Sequence, residues 1–211
     1  MSGSLFHFTK SIDNLLGILK NEFLPRYCLE EVNERGRLIR GAGGAVAVPM
    51  VCFCDSQLSQ LREHLEIYGG YGIGMKKTWG MDKQISPVMY VHEDGLAYTV
   101  LSNIAYQLEQ FEGANFPRED HVKPMRWQME MASYLKPSVG EMFFDHEFVG
   151  RGFYDEREWR YVPFMMDFTE DELDGCKPRL TREEFLDEDF RQDQNQKISR
   201  LCRLSFDPRD I

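Results

Sequence analysis

Two stretches of the chain place chemically capable residues at informative spacings: His7-Phe8-Thr9 near the start, and Glu156-Arg157-Glu158-Trp159-Arg160 late in the chain. Side chains alternate on an extended strand, so His7 and Thr9 share one face while Phe6 and Phe8 share the other. An aromatic core face backed by a polar face is the pattern of a strand lining a cleft. A half-buried histidine satisfied at a sheet edge fits the same residues. In the late stretch, Glu158, Arg160 and Val162 alternate with Trp159 and Tyr161. Its carboxylates and arginine suit a polar site, and equally a cross-strand ladder whose surface ion pairs contribute about 0–1 kcal/mol each. Spacing alone does not choose.

Other polar groupings read as surface. His92-Glu93-Asp94 and Asp145-His146-Glu147 contain metal-ligand residue types, but both sit in loop-like contexts and are expected to be exposed turns. Gly41-Ala42-Gly43-Gly44 resembles a phosphate loop only loosely, because no following helix offers its N-terminus. The cysteines at 28, 52, 54, 176 and 202 form an odd set without a C-x-x-C pair, so reduced thiols are expected rather than a disulfide framework or a zinc ribbon. No metal site is predicted.

The elements that position these residues follow from periodicity. Leu5–Thr9 reads as a strand, and Ser11 caps a helix reaching Lys20, with Ile12, Leu15, Leu16, Ile18 and Leu19 at helical spacing. Glu30–Gly44 is a polar, Gly-rich loop carrying Arg35, Arg37 and Arg40. Ala45–Phe53 is a strand interrupted at Pro49, and Ser56–Ile67 an amphipathic helix. In the strand that follows, Tyr71, Ile73 and Met75 share a face opposite alternating glycines, which mark close approach of a ligand or another backbone. Pro87–Val91 reads as a strand, Leu96–Glu112 and Pro124–Leu135 as helical, and Ile198–Phe206 as a last strand. Thr181 opens a capping box to Glu184. The result is one mixed α/β (α+β) domain.

Composition bounds the rest. The chain has 211 residues and a formal net charge of −10, of which −4 falls between Thr169 and Ile211. Neither part is the basic surface of a protein that grips duplex DNA non-specifically. No run approaches the roughly 18 apolar residues of a membrane helix. The N-terminus lacks a signal peptide pattern, so the cytosol is the expected compartment.

From residue 5 to about 165 the sequence resembles the bacterial AbiGi family of abortive phage resistance proteins, whose description includes the word antitoxin. The matching stretches are Phe6-His-Phe-Thr-Lys-Ser with Asn14-Leu-Leu-Gly-Ile-Leu19, Pro25-Arg-Tyr-Cys28, and Val48-Pro-Met-Val-Cys-Phe-Cys-Asp55. They continue with Glu63-His64, Tyr68-Gly-Gly-Tyr-Gly-Ile-Gly74, Lys77-Thr-Trp-Gly80, Pro87-Val-Met-Tyr90 and Asp155-Glu-Arg-Glu-Trp-Arg-Tyr-Val-Pro163. That resemblance implies a domain over residues 1–168 and an acidic C-terminal extension, 169–211, packed on it or appended to it.

A more distant resemblance is to DarT-type ADP-ribosyltransferases, through His7-x-Thr9 followed by Asn14-Leu15-x-x-Ile18-Leu19 and a late Glu. It implies an ADP-ribosyltransferase-like fold, with a split, mostly antiparallel sheet flanked by helices. It also implies NAD as substrate, bound by His7 and Thr9 with support from Asn14, and Glu158 as the catalytic residue. Breaking the N-glycosidic bond of NAD builds positive charge on the ribose, which a shielded carboxylate stabilises. Arg160 would keep Glu158 ionised or pair with the pyrophosphate. Tyr71 or Tyr68 would stack on nicotinamide, with a core role equally open to each.

In one place the chain departs from that pattern. Where those enzymes place an arginine, it has Asp55, whose charge is expected to repel a pyrophosphate unless Arg35, Arg37 or Arg40 compensates. Three functions follow as expectations. The first is a phage-defence enzyme transferring ADP-ribose from NAD to a nucleic acid or protein. The second is a catalytically silent antitoxin that neutralises a partner toxin. A nucleotide-sensing domain without transfer is a third.

Overall fold

The computed structural model describes residues 3–31, 45–56, 61–92, 94–111, 130–144, 147–165 and 168–211. The elements begin with β1 (Ser4–Thr9), α1 (Ile12–Asn21), β2 (Arg26–Glu31), β3 (Ala45–Cys54), α2 (Arg62–Tyr68) and β4 (Tyr71–Lys76). They continue with α3 (Lys77–Asp82), β5 (Ser86–Pro87), β6 (Met89–Val91), α4 (Leu96–Phe111), β7 (Leu135–Pro137), β8 (Val139–Phe144) and β9 (Glu147–Gly152). After a 3-10 turn at Tyr154–Glu156 come β10 (Glu158–Tyr161), α5 (Glu170–Leu173), β11 (Leu180–Thr181), α6 (Arg182–Leu186) and α7 (Glu188–Leu201).

A seven-stranded sheet runs in the order β4-β1-β3-β10-β5, and β2 and β11 also pair with β3. All of its pairings are antiparallel. The small β6–β7 pair is parallel. The architecture is therefore mixed α/β with a mostly antiparallel sheet. No described helix is long and apolar enough to cross a membrane.

The sheet has a seam. β4 and β1 pair over six positions, from Ser4↔Lys76 to Thr9↔Tyr71, and β3 and β10 over four, from Glu158↔Cys54 to Tyr161↔Val51. β1 and β3 pair at a single position, Phe6↔Cys54, and then diverge.

β3 runs unbroken through Pro49, contrary to the interruption expected there. Opposite Pro49, the Tyr27 N–H donates away from β3, to Asn195 Oδ1 of α7 at 3.0 Å. Tyr27 and Pro49 are thus a non-hydrogen-bonded pair, and the side of β3 where proline lacks its donor lies between the stretches paired with β11 and β10.

Two helix starts are capped by side chains as their sequences predict. The Ser11 hydroxyl accepts from the Asn14 N–H, and Thr181 and Glu184 form a reciprocal capping box. The last strand expected at Ile198–Phe206 is a correction: α7 runs to Leu201, because Ile198 at 0% exposure belongs to a helical stripe packed on Tyr27, Leu180 and Phe185. Only an isolated bridge, Leu204 to Phe23, remains of that strand. The strand read at Pro87–Val91 divides into β5 and β6. Residues 57–60 of the helix read at Ser56–Ile67, and 124–129 of that at Pro124–Leu135, lie outside the described residues; of the latter, 130–132 are helical, but the chain then turns and Leu135 opens β7 instead of ending a helix.

Candidate functional site

The register assigns the faces. Phe6 and Phe8 of β1, Cys52 and Cys54 of β3, and Glu158 and Arg160 of β10 lie on one face of the sheet. Leu5, His7, Phe53 and Trp159 lie on the other, with the core formed by Phe23, Val51, Ile73, Met75 and Trp79. The expected orientation of β1 is therefore reversed, because the core side carries His7 and the cleft side carries the phenylalanines. The glycines explain how Phe6 and Phe8 fit: their rings lie over Gly74 and Gly72, where an added Cβ would come within 2.9 and 2.7 Å.

His7 nevertheless reaches the cleft through the seam. Its Nδ1 donates to the Cys52 carbonyl at 2.8 Å, where β1 and β3 have separated, and its ring packs against Phe23 and Phe53. A carbonyl only accepts, so Nδ1 carries the proton and Nε2 is left as the acceptor. Burial of the ring lowers its pKa and outweighs the opposing hydrogen bond to Cys52, which favours neutral imidazole.

A cavity of about 310 Å³ opens at the split. His7, Cys52, Glu156, Glu158 and Lys136 line it together with Phe6, Phe8, Phe153, His64 and Tyr68. Its floor is a network of buried charges. Arg160, at 0% exposure, donates from Nε to Glu158 Oε1 at 2.6 Å and from Nη2 to Glu158 Oε2 at 3.1 Å. The same guanidinium reaches Glu30 Oε2 and the Ser133 carbonyl, each at 2.8 Å. Lys136 Nζ lies 2.9 Å from Glu156 Oε2 and 2.8 Å from Glu158 Oε2, with the Phe153 ring centroid 4.3 Å away. Tyr68 Oη donates to Glu156 Oε1 at 3.1 Å.

Burial alone would raise the pKa of Glu158, but Arg160 and then Lys136 outweigh it and hold the carboxyl well below the usual range. Lys136 is held above its usual value despite burial by Glu158, Glu30 and Glu156. Three carboxylates thus face two cations, giving this group of five a net charge of −1. Cys52 also lines the cavity, its thiol pushed up by a hydrogen bond with Cys28 and by burial, so it stays protonated and weakly nucleophilic.

Of the residues singled out from sequence, the structure brings His7 and Glu158 to one cavity, with Arg160 buried beneath Glu158. It does not bring Thr9, Asn14 or Tyr71 there. Thr9 is buried on the His7 side of β1, Asn14 is exposed on α1, and Tyr71 is 43% exposed. Of the two tyrosines offered for stacking, only Tyr68 lines the cavity.

Asp55 faces away from the cavity, on the Trp159 side, in an ion pair with Lys77, whose ammonium lies 4.9 Å from the Trp159 ring centroid. Asp55 is therefore not part of the cavity lining. Arg35, Arg37, Arg40, the Gly41–Gly44 run, Glu93, Asp145 and His146 lie outside the described residues. His92 is a turn residue whose Nδ1 accepts from the Asp94 N–H. Among the described residues, no group of His, Cys, Asp and Glu is arranged to hold a metal ion.

Sequence reasoning missed Lys136, Glu30 and Ser133. Lys136 stands in Tyr134-Leu-Lys-Pro137, a segment without chemical signature. Glu30, expected to open the polar loop, instead lies in β2, and its alternation with apolar Leu29 is a weak strand signal.

Residues 21–211 match the family model described as "abortive phage resistance protein AbiGi, antitoxin". The chain is also 32% identical over 137 residues to "Abortive phage resistance protein AbiGi" of Lactococcus lactis subsp. cremoris. That alignment covers 60% of this chain and 54% of the relative, so the chain spans about half the length of the curated protein it matches. No solved structure gives a significant match. The family match covers most of the chain, which belongs to the AbiGi family.

Proposed function

With membership of the AbiGi family as the premise, we propose that the chain serves abortive phage resistance through the cavity at the split, as an ADP-ribosyltransferase-like protein that takes NAD. The observation that carries this reading is the Glu158 carboxylate, chelated by Arg160, at the floor of a cavity whose wall includes His7, between two diverging wings of one sheet. Breaking the bond between ribose C1′ and the nicotinamide nitrogen releases neutral nicotinamide and leaves positive charge on the ribose. An acceptor oxygen or nitrogen then bonds to C1′ and gives up its proton. Glu158, shielded from water, would stabilise that charge electrostatically. Arg160 keeps it an anion, and the Tyr68 and Phe8 rings suit a flat heterocycle.

The fit is uneven. The aromatic walls suit the nicotinamide riboside half. Lys136, a cation in the lining, is committed to Glu156 and Glu158 rather than to a diphosphate. NAD at millimolar concentration is expected to raise the melting temperature of the wild type and not of His7→Ala. Glu158→Gln is expected to stay folded and to lose nicotinamide release. No shift in the wild type, and no release with nucleic acid and protein acceptors, would sink the reading.

The mutual pairing of Glu156, Glu158, Lys136 and Arg160 favours a second reading, that the chain is an antitoxin which binds a toxin protein and leaves the site silent. The family's description supports it. Expression of the chain alone would then be harmless, Glu158→Gln would leave neutralisation intact, and the toxin would co-purify with the chain.

A further inference from the structure

We propose that Lys136 is the internal occupant of a cation subsite between Glu156 and Glu158, an autoinhibitory contact that an organic cation on a flat ring displaces. Both cations in the network are buried, but they are anchored differently. Arg160 is wholly buried, and its bonds to Glu158, Glu30 and the Ser133 carbonyl tie β10, β2 and the segment before β7 together. Lys136 comes from β7, which pairs with β6 outside the main sheet, and its side chain lines the cavity.

Its ammonium lies in a cage of three walls. One oxygen of Glu156 and one of Glu158 converge on it at 2.9 and 2.8 Å, and the Phe153 ring lies beneath it at 4.3 Å. Two carboxylates over an aromatic face are recognition chemistry for an organic cation. Arg160 bonds both oxygens of Glu158, Oε1 at 2.6 Å and the shared Oε2 at 3.1 Å, and it stays in place when Lys136 withdraws. The four groups that remain, three carboxylates and Arg160, then carry −2, and an incoming cation would restore −1. The neighbouring Phe8, His64 and Tyr68 rings provide the flat walls. A flexible four-carbon stem lets an ammonium leave such a cage more readily than a bidentate guanidinium would.

The ligand class, a ring-borne cation, rests on the NAD reading above, whereas the occupancy of the cage by Lys136 rests on geometry alone. The test measures binding of 1-methylnicotinamide, a cation, and nicotinamide, its neutral counterpart, to the full chain and to Lys136→Gln. The wild type is expected to show no preference, and Lys136→Gln to bind the cation at least tenfold more tightly than the neutral ring. Lys136→Arg keeps a cation in the cage and is expected to behave as wild type.

Equal binding of the two probes by a folded Lys136→Gln overturns the proposal, as does a wild type that already prefers the cation tenfold. If Lys136→Gln does not fold, Lys136→Gln/Glu156→Gln restores the net charge of the group and should still show a smaller cation preference, whose absence also overturns it. Cation binding gained without nicotinamide release from NAD keeps the cage and refutes NAD cleavage. Release by the wild type that Lys136→Gln leaves unchanged refutes the cage and keeps the cleavage.

Discussion

Glu158 and Arg160, two residues apart on one face of β10, form a chelate: Nε and Nη2 of the guanidinium reach the two carboxylate oxygens at 2.6 and 3.1 Å. Buried ion pairs of this kind hold a geometry more than they add stability, because desolvation offsets the Coulomb attraction. The asymmetry appears on removing one partner. Arg160→Met leaves Glu158 and Glu30 without their guanidinium and should cost about 3–5 kcal/mol, read from urea midpoints. Arg160→Lys should recover only part, since one ammonium does not span Glu158, Glu30 and the Ser133 carbonyl. Arg160→Met combined with Glu158→Met should cost less than Arg160→Met alone; a larger cost would mean that the pair is not the coupled unit described.

Acid stability should separate His7 from Glu158. The folded pKa of His7 lies below its ordinary 6.5, so the unfolded chain takes up this proton first. Stability from this group is full above 6.5 and declines as pH falls through that value toward the folded one. His7→Gln keeps a donor for the Cys52 carbonyl and should flatten the decline between about pH 7 and pH 5.5. Glu158, with its folded pKa depressed below 4.5, contributes above 4.5 and loses its contribution as pH falls further. Identical slopes for wild type and His7→Gln would contradict the buried neutral imidazole.

Asp55 offers a test of which face matters. Its partner Lys77 and the Trp159 ring place it on the far side of the sheet from the cavity. Asp55→Asn should lower the unfolding midpoint modestly and leave NAD-dependent stabilisation unchanged. A gain in NAD affinity on removing this carboxylate would show that the pyrophosphate passes near it after all.

The residues from 169 onward should prove inseparable from the rest. Leu180 pairs with Ala47, Asn195 satisfies the Tyr27 N–H, and Ile198, Phe185 and Cys176 share a core with Tyr27 and Ala47. Leu204 bridges Phe23 and belongs to the other core. A chain ending at residue 168 would expose both clusters, and we expect it to be recovered aggregated or unfolded by circular dichroism. A soluble, cooperatively melting fragment would establish the C-terminal segment as a true appendage.

Alternation and capping were legible in the sequence. The Phe6/His7 alternation, the glycine face of β4, the Ser11 cap and the Thr181 box are local rules with local outcomes, and each appears in the structure. Which face of β1 turns inward was not legible, because it depends on glycines two strands' worth of sequence away making room for phenyl rings. Ile198–Phe206 failed for the same reason: its apolar residues fit both periods, and packing on Tyr27 and Leu180 decided for the helix. Lys136 and Glu30 reach the site from distant segments whose meeting is a property of topology alone.

Because β1 and β3 share a single paired position, the two halves of the sheet are stitched by backbone pairing at one point, with the His7 imidazole bonding the Cys52 carbonyl beside it. Side-chain packing of Phe53 against Ile73, Met75 and Trp79 holds the wings, so they yield to different perturbations. Amides of β1 and β4 should exchange with deuterium as one population and those of β3 and β10 as another. A boundary in protection would then run down the middle of what geometry counts as one sheet, and a ligand bridging the seam would erase it.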